Sequence, residues 1–177
     1  MNSAASLLEK PSLQAVHNFV LAAYHNDVRA AQAYIARYPQ YLDLQDHDGK
    51  TALCLAIRRQ CHDVLQVLLR GGADVNARDT SKNTPLHWAV VVQDRDAVLS
   101  LIDAGADLAA KDATHQKPLE WAVNNDFPRD IIRILQEAPQ RQADNAARAK
   151  KECEAAIRQR AENICREEGV NIAPSDV

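Results

Sequence analysis

Apolar residues in this chain fall at helical spacing, in short runs that turn formers break at regular intervals. Ala15, Val16, Phe19, Val20 and Ala23 share one helical face, and Val28, Ala31, Ala33, Tyr34 and Ile35 define a second run. Residues 51–59 and 63–70 form another pair, the latter carrying Val64, Leu65, Val67, Leu68 and Leu69 before Gly71-Gly72 stops it. Thr84-Pro85 opens the next helix. Threonine offers a capping hydroxyl, and proline suits the first helical position, where its missing N–H would be unpaired anyway. Leu86, Ala89 and Val90 then face one way, and residues 96–103 place Val98, Leu99, Leu101 and Ile102 on a companion helix ahead of Gly105. Ile131, Ile132, Ile134 and Leu135 fill the same slot once more, with Pro128 at the expected helix start and Pro139 expected to end it. The pattern predicts an all-α chain of short helix pairs.

The pairs are copies of one unit. Thr84-Pro85-Leu86-His87-Trp88-Ala89 returns 33 residues later as Lys117-Pro118-Leu119-Glu120-Trp121-Ala122, and 33 residues earlier as Thr51-Ala52-Leu53-Cys54-Leu55-Ala56. Gly72-Ala73-Asp74-Val75 recurs as Gly105-Ala106-Asp107-Leu108 at the same interval. Two landmarks with one period indicate stacked units, each too small to bury its apolar face alone.

The motif Asp-x-x-Gly-x-Thr-Pro-Leu-His-x-Ala, followed by Leu-Leu-x-x-Gly-Ala-Asp-Val-Asn-Ala, resembles the ankyrin repeat. The match is closest at residues 84–89 and 68–77 and extends over 45–138. The resemblance implies an ankyrin-repeat solenoid of about four helix-turn-helix units joined by β-hairpin-like loops, plus a C-terminal helix. The expected divisions are a flexible N-terminus (1–11), a degenerate capping repeat (12–44), three further repeats (45–78, 79–111 and 112–138), a C-terminal helix (139–168) and a flexible tail (169–177). The chain departs from the motif in three places. Lys82 and His115 replace the turn glycine present as Gly49, Lys117 replaces the capping threonine, and residues 124–128 lack an inter-helix glycine. These departures weaken the last unit.

Residues 140–168 change in composition to Ala, Arg, Glu, Lys and Gln, with seven basic and six acidic residues mixed together. Ala146, Ala149, Cys153, Ile157, Ala161 and Ile164 form a weakly apolar stripe at helical spacing. Such a helix fits a cap over the last repeat, a docking element for a partner or second copy, or a membrane-surface helix. The interspersed acids and the lack of large apolar anchors count against the last.

Composition narrows the function. The chain has 177 residues, is 46% hydrophobic but only 5% aromatic, and carries a formal net charge of −3, so no strong field recruits nucleic acid. No export signal or membrane-length apolar run is seen, which points to a cytoplasmic protein whose four cysteines stay reduced. The Ala- and Arg-rich, Ile- and Lys-poor composition points to a bacterial source. Among the histidines, the resemblance implies a structural His87 that bridges backbone groups between repeats. His47, His62 and His115 sit at unrelated spacings, and no His pair has an acidic helper, so no metal site or cofactor is expected. Cys54 occupies the slot of His87, and Cys153 and Cys165 on the tail stripe read as small buried hydrophobes. Trp88 and Trp121 share one repeat position and read as core, with contact at a binding surface as the alternative. Asp46, Asp48, Asp79 and Asp112 read as turn residues, and no nucleophile elbow or phosphate loop occurs. The chain does not read as an enzyme.

The resemblance implies partner binding through a concave groove made of hairpin tips and first-helix ends. Carried over by position, the tips are His47, Asp48 and Lys50; Thr80, Ser81 and Asn83; and Ala113, Thr114 and Gln116. The helix ends are Arg58 and Arg59, Val91 and Val92, and Asn124 and Asn125, with Arg78 and Lys111 flanking. The core needs one member of Val90-Val91-Val92, so an exposed Val91/Val92 pair beside arginines would make an apolar hot spot for a partner that also carries carboxylates. The competing reading packs either valine against the neighbouring repeat. The expected function is non-enzymatic protein–protein interaction: an immunity or antitoxin-like inhibitor, or alternatively a secreted effector that binds host proteins or a regulatory subunit of an enzyme. The expected partner is another protein, not nucleic acid or membrane, and the expected state is a monomer, with dimerisation through 140–168 as an option.

Overall fold

Four cap residues set where helices begin. Ser12, Asp27 and Asp94 accept hydrogen bonds from Ala15, Ala30 and Ala97 backbone N–H groups, and the Thr51 hydroxyl accepts from Cys54 at 3.4 Å. The structure, a computed structural model, describes residues 10–168, with side chains described through residue 160 and at Asn163. Apart from Lys10 and Pro11, the expected loose ends at 1–11 and 169–177 lie outside the described residues. All described regular structure is helical: α1 (Leu13–His25), α2 (Val28–Arg37), a 3-10 turn (Pro39–Tyr41), α3 (Ala52–Arg58), α4 (His62–Arg70), α5 (Pro85–Val91), α6 (Arg95–Asp103), α7 (Pro118–Asn124) and α8 (Arg129–Glu168).

The chain forms two compact units, Met1–Pro139 and Gln140–Val177. In the first, α1, α3, α5 and α7 pack in sequence as an inner row, and α2, α4 and α6 form an outer row. Between the rows lie Leu53, Ile57, Val64, Leu65, Leu68, Leu86, Val90, Val98, Leu101 and Ile102, all buried, and the core is continuous from Phe19 to Ala138. Phe19 and Tyr34 stack at 4.0 Å between ring centroids to join α1 to α2. Ala23, Ala56, Ala89 and Ala122 are fully buried, small enough to let neighbouring inner helices approach closely.

Between the rows the chain makes the same turns in each repeat. Asn26, Gln60, Gln93 and Asp126 adopt positive φ at the inter-helix turn, and Lys82 and His115 do so at the hairpin where Gly49 stands in the second repeat. The missing motif glycines are therefore tolerated as strained non-glycine residues rather than avoided by a different turn. Gly49 itself is required twice over: its φ is +75°, and a Cβ there would lie 2.8 Å from the Thr80 backbone nitrogen.

Each hairpin is organised by one aspartate. Asp46 Oδ1 accepts from the backbone N–H groups of Asp48 and Lys50, Asp79 Oδ1 from Ser81 and Asn83, and Asp112 Oδ1 from Thr114 and Gln116, all at 2.8–2.9 Å. The hairpins then join one another. The Thr80 N–H and hydroxyl both donate to the Asp48 carbonyl, and the Ala113 N–H donates to that of Ser81. Outer helices are tied across repeats by Asn26, whose side chain accepts from Val64 N–H, and by His62, which lies 2.8–2.9 Å from both oxygens of the buried Asp94.

Pro139 does not end a helix as expected, because α8 runs through it from Arg129 to Glu168. A mid-helix proline forfeits one backbone bond and costs about 3 kcal/mol. The helix formers Ala, Arg, Glu, Lys and Gln that follow favour its continuation. The second unit is helical through Glu168, with every side chain from 143 to 160 exposed. It carries i,i+4 pairs Arg148–Glu152 (3.0 Å) and Lys150–Glu154 (3.9 Å). Cys153 is exposed rather than buried, and the Cys165 side chain lies outside the described set.

Candidate functional site

The Thr-Pro-Leu-His segment builds structure, not chemistry. His87 Nδ1 accepts from the Thr84 N–H at 3.2 Å and lies 2.9 Å from its hydroxyl, while Nε2 donates to the Gln116 carbonyl of the next repeat at 3.2 Å. With both ring nitrogens engaged, the imidazole is a neutral bridge between repeats, and burial lowers its pKa from the usual histidine value. In the repeat before it, Cys54 fills this slot, and burial pushes its thiol pKa up, away from nucleophilic use. In the repeat after it, Glu120 Oε2 accepts from the Lys117 N–H at 2.9 Å, the bond that His87 Nδ1 makes to the Thr84 N–H, now made by a carboxylate.

The sixteen candidate contact residues separate into two sets. Thr80, Asn83, Thr114 and Gln116 are spent on the hairpins: Asn83 and Gln116 close the Asp79 and Asp112 loops, Thr114 bonds Asp112 through both N–H and hydroxyl, and Thr80 reaches Asp48. Asn125 is exposed but turned back, its Nδ2 donating to the Trp121 carbonyl at 2.8 Å. His47, Arg58, Arg59, Arg78, Ser81, Lys111 and Asn124 present exposed side chains. Val91 and Val92 are both half-buried, and Val92 packs on the core, so the exposed apolar pair expected there is absent. Val92, half-buried, lends the core part of its apolar surface.

The cations lie on aromatic rings. The Arg58 guanidinium is 5.1 Å and the Lys50 ammonium 5.7 Å from the Trp88 ring centroid, and Arg59 lies 3.6 Å from that of Tyr24. Trp88 is half-buried and packs on the core, and its indole N–H donates to Asp79 Oδ2 at 3.0 Å. It thus serves as core and as a platform for charge. Lys50 Nζ also lies 2.6 Å from Asp48 Oδ2, and that hydrogen bond, with His47 3.5 Å away, holds the Asp48 carboxyl below its ordinary pKa. The candidate set therefore carries five cations (Lys50, Arg58, Arg59, Arg78 and Lys111) against one carboxylate already engaged by Lys50.

The sequence reading missed a groove beside this charged row. Leu13, Val16, Phe19 and Val20 of α1, Leu44 of the first hairpin, and Ala52 and Leu55 of α3 line a groove of about 480 Å³, with Asp46 and Lys50 also lining it. A signal was present: Leu44 stands 33 residues before Ala77, which stands 33 before Ala110, so the first hairpin carries a large side chain where the others carry a small one.

A family model described as ankyrin repeats, in three copies, matches residues 19–112, just over half of the chain. The serine/threonine-protein kinase VIK of Arabidopsis thaliana is 41% identical over 64 residues, covering 36% of this chain and 15% of the kinase. The NF-kappa-B inhibitor cactus of Drosophila yakuba is 38% identical over 63 residues, covering 35% of this chain and 13% of the inhibitor. Cactus of Drosophila melanogaster is 36% identical over 63 residues, covering 35% and 13%. The chain thus spans about one-seventh of the length of the relatives it matches, and the likeness to VIK is to a short stretch of a kinase.

Proposed function

Because the chain belongs to the ankyrin-repeat family, whose arrays act as protein-binding modules, we propose that it is a non-catalytic binder of another protein, engaging an acidic segment of its partner through the hairpin tips and inner-helix ends. The observation that carries this is the exposure of four cations, Arg58, Arg59, Arg78 and Lys111, beside hairpin aspartates whose carboxylates are turned into their own loops, on a chain whose formal net charge is −3. Local charge opposite in sign to the whole gives orientation and specificity more than raw affinity. The overall negative charge also favours a short acidic protein segment over a long polyanion, which counterion release would need a larger basic footprint to hold.

Inhibition by occlusion is the finer form of the proposal, an immunity or antitoxin-like protein that covers another protein's working surface. The inhibitor role in the name of cactus supports that form over a host-directed effector or a regulatory subunit. No helix among the described residues is long and apolar enough to cross a membrane. A cytoplasmic, monomeric protein of bacterial source, with the 140–168 helix as an optional dimer contact, completes the reading.

Arg58→Glu with Arg78→Glu tests it. Both side chains are exposed, so the thermal midpoint is expected to stay within about 2 °C of wild type. Affinity capture followed by mass spectrometry is expected to recover a partner with the wild-type chain and lose it with the double variant. Retention of the same partner at the same yield would overturn the charged-face reading. So would capture of an oligonucleotide with the same Arg58 dependence.

A further inference from the structure

The apolar anchor expected at Val91/Val92 is not there, but an apolar groove lies at the other end of the charged row. Leu13 is 91% exposed and Leu44 is 42% exposed, and both line a cleft with Val16, Phe19, Val20 and Leu55. Single exposed leucines need no explanation, but these two share one groove with the half-buried Val16, Val20 and Leu55. At about 480 Å³ it falls within the range of sites that hold small ligands, and so has room for more than one side chain.

Two features set its register with the cations. Leu55 occupies the repeat position of Trp88, 33 residues on, so groove lining and aromatic platform are successive members of one row along the inner helices. Lys50 belongs to both, lining the groove and lying 5.7 Å from the Trp88 ring centroid, with Arg58 beyond it at 5.1 Å. The surface thus runs from apolar to cationic within one repeat. A partner segment complementary to it carries large apolar side chains at one end and carboxylates a few residues away.

We propose that the groove between α1, the 44–50 hairpin and α3 is the apolar anchor site for a partner's extended segment, whose leading aliphatic or aromatic residues seat against Leu13, Val16, Val20, Leu44 and Leu55 while its following carboxylates reach Lys50 and Arg58. This rests on the charged-face reading above and adds the chemistry and polarity of the segment. Leu44 in place of the alanine found in the next two hairpins, and Leu55 in place of the tryptophan found in the next two inner helices, tune this end for an apolar guest.

Fluorescence anisotropy on the full chain decides it with three labelled decapeptides: Leu-Phe-Ser-Asp-Glu-Glu-Asp-Ser-Glu-Asp, the same peptide with serine for Leu and Phe, and the same with Asn and Gln for its acids. Wild type is expected to bind the first at least tenfold more tightly than either control. Leu13→Asp with Leu44→Asp is expected to erase the difference between the first two peptides, and Leu13→Asp alone, at an exposed helix start, to reduce it. Arg58→Glu is expected to weaken both acidic peptides about tenfold while keeping their ratio. If the leucine variants bind the first peptide as wild type does while Arg58→Glu releases it, the anchor is overturned and the charged face stands. If the acidic peptides bind no better than the amide control, the charged face fails and takes the anchor with it. A dimer in sedimentation velocity that Leu13→Asp dissolves would assign the groove to a second copy. A tenfold gain in affinity from Leu7→Ser with Leu8→Ser would assign it to the chain's own leading residues. Either result overturns the proposal.

Discussion

Helices α5 and α7 begin with nearly the same words, Pro-Leu-His-Trp-Ala-Val and Pro-Leu-Glu-Trp-Ala-Val, and meet different fates. Val90 is fully buried, whereas Val123, at the same position, is 53% exposed. His87 is buried and bridges to the next repeat, whereas Glu120 is exposed and bonds only its own cap. The inner row accounts for the difference, because α5 packs between α3 and α7, while α7 packs on α5 at the end of the described row. A motif residue is a core residue only when a neighbour arrives to cover it. The histidine-to-glutamate change follows the same logic, since Glu120 does the local capping without needing the long-range acceptor.

Several substitutions break or sharpen this comparison. The largest effect is expected from Val90→Asp, which places a carboxylate in a closed apolar site and is expected to cost more than about 3 kcal/mol in urea denaturation. Val123→Asp at the matching position is expected to cost under about 0.5 kcal/mol, and equal losses would show that the two faces are not different. Next comes His87→Ala, which leaves the Thr84 N–H and the Gln116 carbonyl without their partner and is expected to cost about 2 kcal/mol. Glu120→Ala, losing one exposed cap bond, is expected to cost about 0.5–1 kcal/mol by the same measurement.

A smaller effect separates the two helices by pH. Burial lowers the His87 pKa in the folded state, so the unfolded chain binds its proton more readily. The stability His87 contributes is complete above the unfolded histidine value of about 6.5 and is lost as pH falls from there through the lower folded value. Thermal midpoints measured from pH 7.5 down to 5 are expected to fall less steeply in His87→Asn than in wild type. A parallel pair of curves would remove His87 from the linkage. A further comparison concerns the hairpins that precede the two helices. Lys82→Gly and His115→Gly relieve positive φ at 61° and 63°, and each is expected to raise stability by about 0.5–1 kcal/mol. A gain at one and not the other would show that the hairpins, like the helices, differ in their neighbours.

What was legible in the chain follows the range of the interactions involved. The period, the caps at Thr51 and Thr84, the glycine stops and the aspartate turns depend on residues within about four positions of each other, and the structure has them where the pattern put them. Pro139 departs from the local rule, because the helix-forming run that follows it carries α8 through the proline. At the candidate site, the exposure of Arg58, Arg78 and Lys111 followed from repeat position alone. The stacking of Arg58 on Trp88 and of Arg59 on Tyr24 did not, because each pair joins residues thirty or more positions apart. The groove lay deeper still, visible only as a leucine where later hairpins use alanine.

By itself, then, the sequence determined a stack of 33-residue units and the residues that start, turn and stop each one, because those choices are made by short-range backbone sterics and hydrogen bonds. Only the tertiary structure decided that Val92 packs inward, that Val123 lies open, and that the apolar end of the surface sits at Leu13 and Leu44. Burial is a property of what arrives from elsewhere in the chain, and identical words in successive repeats acquire different surroundings from their place in the row.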